Sequence, residues 1–229
     1  MNEEVAASNR RLTVIVDPHI KAVDTFYVWE DGIIDEDQPE PTGNYTNIFV
    51  RHPKTNNVWF GDCWPGNSSW IDFLNENAQN YWGQQMLYSN FKGSSYLYTF
   101  WNDMNEPSVF STSSKTLPMD TIHYKADGTK VEHRDFHNAY GGMQQRSSFR
   151  GLLARDNYTR RPFVLTRSFF LGSQKFGTYW TGDNRSIYQE VPGSMRMIMS
   201  LGISGVPFGG SDVPGFYGMP TEELWVMFY

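Results

Sequence analysis

The sequence predicts an α/β fold of the (β/α)8 barrel type, and three observations support this prediction. Short apolar runs, typical of buried strands, alternate along the chain with longer stretches of helical spacing. Each apolar run ends in polar or glycine-rich residues. Aromatic residues and carboxylates follow two of these runs directly. In a barrel of parallel strands the functional residues lie at the carboxyl ends of the strands, so the pattern is typical of that fold.

The apolar runs predict five strands, at residues 12–16, 96–101, 162–166, 177–180 and 203–208. The helical stretches lie at residues 75–90, 138–155 and 193–201, and an amphipathic helical segment covers residues 224–229. Residues 28–57 and 111–135 are expected to be polar loops on the face that carries the site. Because a barrel of this type needs about eight strands, we expect the chain to be an internal piece of a longer enzyme.

The most informative stretch is the run Phe-Trp-Asn-Asp-Met-Asn-Glu-Pro-Ser-Val-Phe at residues 100–110. It places Asp103 and Glu106 beside Trp101, at the end of a predicted strand. A second such place is Trp-Thr-Gly-Asp-Asn, where Asp183 follows Trp180. Two carboxylates on separate strands, each beside an indole ring that can stack on a sugar, indicate glycoside hydrolysis.

A retaining glycosidase needs one ionised carboxylate that attacks and one protonated carboxyl that assists the leaving group. Asp103 is predicted to be ionised, with Asn102, Asn105 and the backbone amides of the turn as hydrogen-bond donors. Partial desolvation behind Trp180 would favour the protonated form of Asp183. The alternative for Asp183, taken alone, is a plain turn or a helix cap.

Other residues admit a functional and a structural interpretation. Arg167, at the end of a strand, offers a fork of donors to a sugar hydroxyl or a carboxylate, or else closes the strand at the surface. Trp64 and Phe216 are candidate stacking walls, or packing residues. His133 and His137 lack a third convincing metal ligand, so hydrogen-bonded structural roles are preferred and no metal is expected.

Composition narrows the function classes. Aromatic residues make up 16% of the chain, which suits sugar binding, although core packing is the alternative for each ring. A net charge of −6 without a basic run argues against nucleic acid, and no apolar run is long enough to span a membrane. No glycine-rich phosphate loop is present, so no cofactor is expected. Four Asn-x-Ser/Thr matches, at Asn44, Asn67, Asn157 and Asn184, suit a secretory-pathway protein.

The chain resembles glycoside hydrolase family 31. The segments that carry the resemblance are residues 14–21, 63–66, 101–110, 132–138, 161–170, 180–184 and 210–216. Within the family it is most similar to the neutral α-glucosidases of the endoplasmic reticulum, the glucosidase II branch. On this alignment residues 1–229 are a fragment of the catalytic barrel domain. It contains about strands 3 to 7 with their helices, and the flanking barrel strands and accessory β-domains lie outside it.

The resemblance implies retaining hydrolysis of terminal non-reducing α-linked glucose. It makes Asp103 the nucleophile and Asp183 the acid/base, with Glu106 supporting the strand end that carries Asp103. The implied glucose pocket consists of Trp64, Trp101, Met104, Arg167, Trp180 and Phe216. The implied substrate is an oligosaccharide, the N-glycan of nascent glycoproteins in the lumen of the endoplasmic reticulum. A lectin-like β-subunit is the implied partner, and we expect little activity from this chain alone.

Two alternatives stay open on the residues. One is another enzyme of the same barrel class, such as an α-xylosidase, an α-galactosidase or a transglycosylase. The other is a non-catalytic sugar-binding relative, against which both carboxylates and Arg167 argue.

Overall fold

The structure is a computed structural model that describes residues 2–33 and 48–229. The strands, in chain order, are β1 (Leu12–Ile15), β2 (His19–Lys21), β3 (Gly61–Cys63), β4 (Gly66–Trp70), β5 (Tyr98–Asn102), β6 (Ile122–Tyr124), β7 (Lys130–Glu132), β8 (Val164–Thr166), β9 (Thr178–Trp180) and β10 (Gly209–Gly210). The helices are α1 (Asn2–Ala7), α2 (Tyr27–Glu30), α3 (Glu76–Gln85), α4 (His133–Arg155), α5 (Glu190–Ile203) and α6 (Glu222–Phe228), with a short 3-10 helix at Ser173–Lys175.

The main sheet contains five strands in the order β1-β5-β8-β9-β10, and every neighbouring pair is parallel. Helices connect consecutive strands of this sheet, with α3 between β1 and β5, α4 between β5 and β8, and α5 between β9 and β10. The predicted α/β fold with a parallel sheet is therefore confirmed. Within the described residues the sheet has two edges, at β1 and at β10.

Four of the five predicted strands are confirmed with slightly shifted bounds, and the fifth is wrong. Helix α5 continues to Ile203, and the last strand is the glycine pair of β10 rather than residues 203–208. Packing explains the shift, because a Cβ at Gly209 would lie 2.3 Å from the ring of Tyr179 on β9. A side chain there would prevent the pairing of the two strands.

The predicted loops contain regular structure that the sequence did not indicate. Residues 111–135 include the antiparallel hairpin β6-β7, and α4 begins at His133, which is five residues earlier than predicted. The loop at residues 28–57 overlaps α2, and its residues 34–47 lie outside the described part of the chain. Both corrections arise because short polar segments gain their pairing from tertiary contacts rather than from local pattern.

Alternation along the parallel strands gives the main sheet two different faces. Phe100 of β5 and Val164 of β8 point to one face, where they join the large apolar core with residues of α3 and α4. Trp101 and Leu165, aligned in the register of β5 and β8, point to the opposite face. Thr13 and Thr99 share that second face and form a hydrogen bond of 2.8 Å between their hydroxyl groups. Helices therefore cover one face of the sheet. The functional motifs extend from the strands on the other face.

The helical layer packs closely because glycines meet where α3 crosses α4. A Cβ at Gly151 would lie 2.6 Å from the carbonyl oxygen of Gly83. Trp82 of α3 is buried and donates a hydrogen bond of 2.9 Å from its indole nitrogen to the hydroxyl of Ser148 on α4. Asn75 caps the start of α3, since its side chain accepts from the amide of Asn77 at 2.9 Å. These contacts fix the layer that supports β5.

A smaller antiparallel sheet, in the order β2-β4-β3, lies beside the carboxyl ends of the main strands. Its Cys63 and Trp70 share a second apolar core with Met104 and Val109, which follow β5. This second core holds the segment that contains Asp103 and Glu106. No helix in residues 2–33 and 48–229 is long and apolar enough to cross a membrane.

Candidate active site

The candidate site lies at the carboxyl edge of the main sheet, where several strands end in charged residues. Asp103 directly follows β5, and Arg167 directly follows β8. The register pairs Asn102 with Thr166, so the two following residues emerge side by side. Asp183 follows β9 after a two-residue turn. Parallel strands thus bring Arg167 and Asp183, which follow Asp103 by 64 and 80 residues in sequence, to the same edge of the sheet as Asp103.

Arg167 joins the two acidic residues of the first motif. Its Nη1 lies 3.0 Å from Oδ1 of Asp103, and its Nε lies 2.6 Å from Oε1 of Glu106. Its Nη2 donates a second hydrogen bond of 3.0 Å to Oε2 of Glu106. The paired donors hold the guanidinium plane against Glu106, which fixes where Nη1 meets Asp103. Arg167 thus binds carboxylates, one of the two roles that the sequence offered.

The donors to Asp103 differ in part from those predicted. Its Oδ1 accepts from the amide of Met104 at 2.8 Å, and Met104 adopts a left-handed backbone with φ of 55°. The side chain of Asn102 instead donates to the carbonyl of Val16, and that of Asn105 donates to the hydroxyl of Thr166 at 2.8 Å. The prediction of the two asparagines as donors is therefore wrong, because their amides tie neighbouring strand ends together.

Burial raises the pKa of Asp103 above its usual value. The positive charge of Arg167 and the amide of Met104 act in the opposite direction, while the charges of Glu106 and Asp183 raise the pKa further. The side chain of Asp103 is 16% exposed. Its carboxylate is thus partly desolvated and held by two donors on a single oxygen, Oδ1, and its Oδ2 has no donor among the described residues.

The charge of Asp183 contributes to the raised pKa of Asp103. Among the described residues, Asp183 is exposed. The turn that carries it contains Gly182 with φ of 81°, a conformation that favours glycine. Its Oδ2 accepts a hydrogen bond of 3.4 Å from the hydroxyl of Tyr217. The predicted partial desolvation behind Trp180 is not provided by these residues, since the Trp180 ring turns toward Trp101 instead.

Two indoles and a thioether lie beside the acidic residues. Trp101 and Trp180 meet edge to face with ring centroids 5.0 Å apart and an interplanar angle of 84°. Met104 is buried, and its sulfur accepts a hydrogen bond from Nη2 of Arg167. Of these three predicted pocket residues, Met104 contacts Arg167 directly, and the two indoles contact each other.

The two other predicted walls, Trp64 and Phe216, lie on different loops and are largely exposed, at 70% and 56%. Trp64 packs edge to face on Phe110 with centroids 4.7 Å apart. The amide of Phe216 donates to the carbonyl of Asn184 at 2.8 Å, which ties its loop to the turn of Asp183. The Phe216 ring packs edge to face on Tyr217, whose hydroxyl donates to Asp183.

Sequence reasoning missed two carboxylates at the same edge. Asp17 follows β1, and Asp212 follows β10. Burial raises the pKa of both, with the charge of Asp103 contributing to Asp17 and the charges of Asp183 and Asp103 to Asp212. The signal that could have found them is their position just beyond an apolar run, the same position that identified Asp103.

The histidines of the 132–138 segment continue a hydrogen-bonded chain that begins at Asp72. Nδ1 of His123 lies 2.7 Å from Oδ1 of Asp72, and its Nε2 lies 2.9 Å from Nδ1 of His133. Nε2 of His133 in turn lies 2.9 Å from Nδ1 of His137. In the part of the chain that the structure describes, no cluster of His, Cys, Asp and Glu could hold a metal ion. The histidines thus have the hydrogen-bonded structural roles predicted for them.

Chemically, the edge offers one partly desolvated carboxylate, a second exposed carboxylate near it, and aromatic rings on the same strand ends and loops. The guanidinium of Arg167, which contacts Asp103, favours the ionised form of Asp103. The side chain of Asp183 is open to solvent and to a leaving group. The arrangement suits nucleophilic substitution at a sugar carbon with assistance to the leaving oxygen.

Comparison with known proteins agrees with this chemistry. The family model "Glycosyl hydrolases family 31 TIM-barrel domain" matches residues 1–229. The chain is 40% identical over 229 residues to a "Probable glucan 1,3-alpha-glucosidase" of Oryza sativa subsp. japonica, covering 100% of this chain and 23% of that relative.

Solved structures give the same result. A chain of the ER glucosidase II heterodimeric complex, which consists of catalytic subunit and the binding domain of regulatory subunit, superposes with a TM-score of 0.85 at 38% identity, covering 97% of this chain and 23% of that one. The glucosidase II alpha subunit in its alpha3-Glc2-bound form superposes with a TM-score of 0.86 at 38% identity, covering 98% of this chain and 23% of that one. The chain belongs to glycoside hydrolase family 31.

Proposed function

We propose that the complete gene product is a retaining α-glucosidase in which Asp103 is the nucleophile and Asp183 the acid/base. The observation that carries the proposal is the contact of 3.0 Å between Arg167 and Asp103, held in place by the fork to Glu106. The proposal concerns the complete gene product because this chain spans about 23% of its curated relative.

In the first step, Oδ2 of Asp103 attacks the anomeric carbon while the carboxyl proton of Asp183 passes to the glycosidic oxygen. The glycosidic bond breaks, the aglycone leaves as an alcohol, and an ester joins the sugar to Asp103. In the second step, Asp183 takes a proton from water, the water oxygen attacks the anomeric carbon, and Asp103 leaves as a carboxylate. Glu106 acts as a positioning residue, since it orients Arg167 against Asp103.

The rings supply the sugar pocket. Trp101 and Trp180 form one wall beside Asp103, and their edge-to-face contact keeps both indoles in fixed positions. Trp64 and Phe216 supply exposed faces on the outer loops, suited to the C–H faces of a second sugar unit. Met104 fills the space beneath Arg167. These contacts support a pocket for one terminal glucose with a second unit at the rim.

The substrate class follows from the relatives. We infer α-1,3-linked glucose on the N-glycans of nascent glycoproteins, because the similar proteins include a glucan 1,3-alpha-glucosidase and an alpha subunit solved in an alpha3-Glc2-bound form. The same likeness to a heterodimeric complex supports work in the lumen of the endoplasmic reticulum with a lectin-like regulatory β-subunit.

The test compares hydrolysis of 4-nitrophenyl α-glucoside, α-xyloside and α-galactoside, and of an α-1,3-linked diglucoside, by the complete gene product. We expect both glucosides to be hydrolysed well, and Asp103→Asn to lose turnover while it still binds substrate. The matched control is Asp62→Asn, at an exposed aspartate of β3. Preference for the xyloside or galactoside would contradict the glucosidase assignment, and near-normal turnover by Asp103→Asn would contradict the nucleophile.

A further inference from the structure

Asp17 stands beside Asp103 at the carboxyl edge of the sheet. The parallel register of β1 and β5 pairs Ile15 with Trp101, so two residues further on Asp17 comes opposite Asp103. Neighbouring strands lie about 4.8 Å apart, which is close to the width of a sugar ring. Asp17 also shares with Trp64 and Ile20 the lining of a cavity of about 1170 Å³.

The carboxyl group of Asp17 has one buried and one open oxygen. Its side chain is 19% exposed, while Oδ1 is buried and has no hydrogen-bond partner in residues 2–33 and 48–229. The open part of the side chain therefore excludes Oδ1, and Oδ2 lies 3.5 Å from Nε2 of His19. No donor among the described residues forms a close hydrogen bond to this carboxyl, unlike that of Asp103. Buried polar groups normally have a partner, so this carboxyl, at the same sheet edge as Asp103, is suited to a partner from the substrate.

The charges around Asp17 suit a hydroxyl partner. Burial raises the pKa of Asp17 to about 7; the charge of Asp103 raises it as well, that of Arg167 lowers it and that of Glu106 raises it. His19 beside it has a pKa lowered to about 4 by burial, so its ring is neutral near pH 7 and does not neutralise Asp17. A carboxyl of this kind exchanges between donor and acceptor, and a sugar hydroxyl can pair with either form.

We propose that Asp17 is a further substrate-contacting residue, whose Oδ2 forms a hydrogen bond with a ring hydroxyl of the glucose that Asp103 attacks. The inference rests on the proposed function. It gives the site a specificity contact on the β1 side of Asp103, where the cavity with Trp64 opens. A substrate that lacks this hydroxyl leaves the carboxyl buried without a partner, which is a strong basis for discrimination.

The experiment measures kcat/KM of the complete gene product for an aryl α-glucoside and for three analogues that each lack one ring hydroxyl, at C2, C3 or C4. The variants are Asp17→Ala and Asp17→Asn, and the matched control is Asp24→Ala, an exposed aspartate after β2 that does not line this cavity. We expect Asp17→Ala to lower kcat/KM on the parent glucoside about 10- to 100-fold. On one analogue, where wild type is already poor, the variant should lose almost nothing further.

Asp17→Asn keeps the shape and a hydrogen-bonding group, so it should recover most of the activity that Asp17→Ala loses. Asp24→Ala should match wild type throughout. If Asp17→Ala does not fold, the same series of substrates is measured with Asp17→Asn. In that variant, removal of one ring hydroxyl should lower kcat/KM less than it does in wild type. If wild type is active and the loss caused by the Asp17 variant multiplies with the loss caused by removing each of the three ring hydroxyls, the Asp17 contact alone is overturned. Normal turnover by Asp103→Asn overturns the proposed function instead.

Discussion

Nη1 of Arg167 lies 3.0 Å from Oδ1 of Asp103, at the ends of two adjacent parallel strands. The contact gives the partly buried carboxylate of Asp103 a positive partner, and it places its two oxygens in different environments. Oδ1 is held by Arg167 and the amide of Met104. Oδ2, the oxygen proposed to attack the sugar, binds neither donor. The position of Arg167 depends in turn on Glu106, so three side chains from two strand ends act as one unit.

Arg167→Lys should lower kcat/KM by at least about 100-fold, because a lysine cannot form the fork to Glu106 and reach Asp103 together. Glu106→Gln keeps the shape but weakens the fork, and a loss of about 10-fold is expected. Steady-state kinetics with an aryl α-glucoside measures both. Arg134→Lys is the control, since its guanidinium is 56% exposed and pairs with Glu132 outside the site. Activity of Arg167→Lys within twofold of wild type would exclude the positioning role.

Asp183→Asn should affect substrates according to their leaving group. An aryl group with an acidic phenol leaves without a proton, whereas a sugar alcohol needs one, so the first step should slow far more for a diglucoside than for 4-nitrophenyl glucoside. We expect the ratio of the two kcat/KM values to change by at least about 100-fold. Equal losses on both substrates would assign the proton donor to another group.

His133 should make the fold sensitive to acid. Burial and the charges of His123 and His137 lower its pKa to about 2, whereas an unfolded histidine has a pKa of about 6.5. The unfolded state therefore binds more protons below pH 6.5, and stability falls as the pH decreases through that range. Between pH 6.5 and pH 5 this group removes up to about 2 kcal/mol from the unfolding free energy.

The comparison of wild type with His133→Asn isolates this effect. The variant loses hydrogen bonds and should be less stable at pH 7, but its unfolding midpoint in urea should change less between pH 7 and pH 5. Parallel pH dependence of the two proteins would show that His133 is not the group that takes up the proton.

Gly151→Ala tests the contact between α3 and α4. The new Cβ would lie 2.6 Å from the carbonyl oxygen of Gly83, so one helix must move, at a cost of about 1–3 kcal/mol. Gly193→Ala in α5 is the matched control, because nothing lies within 4 Å of its new Cβ. That change should be neutral, or stabilising by up to about 1 kcal/mol through helix propensity. Thermal unfolding distinguishes them, and equal midpoints would mean that the helices do not meet as described.

Much of the site could be predicted from the sequence because several of its residues lie close together along the chain. Asp103, Glu106 and Trp101 lie within six residues, and alternation along a strand already places Trp101 and Asp103 on one face. The end of an apolar run identified Arg167 and Asp183 in the same way. Because parallel strands place their carboxyl ends side by side, residues at different strand ends become neighbours. The pattern of strand ends therefore also predicted that the site lies at the carboxyl edge of the sheet.

The remainder depends on contacts that no local pattern carries. The amide of Asn105 binds Thr166, which is 61 residues away, so its partner could not be read from the turn beside Asp103. The apolar run at residues 203–208 suits a strand and a helix end equally, and the ring of Tyr179 decides where β10 begins. Asp17 was missed because Asp-Pro after a strand is also an ordinary strand exit.

The most direct test of the central claim is to trap the sugar on the enzyme. Incubation of the complete gene product with 5-fluoro-α-D-glucosyl fluoride, whose ring fluorine slows breakdown of the ester, followed by peptide mass spectrometry, should locate one glucosyl group on Asp103. Asp103→Asn should remain unlabelled, and Asp62→Asn should label as wild type does. A label on Asp183 or Asp17, or full turnover of the reagent without any label, would contradict Asp103 as the nucleophile.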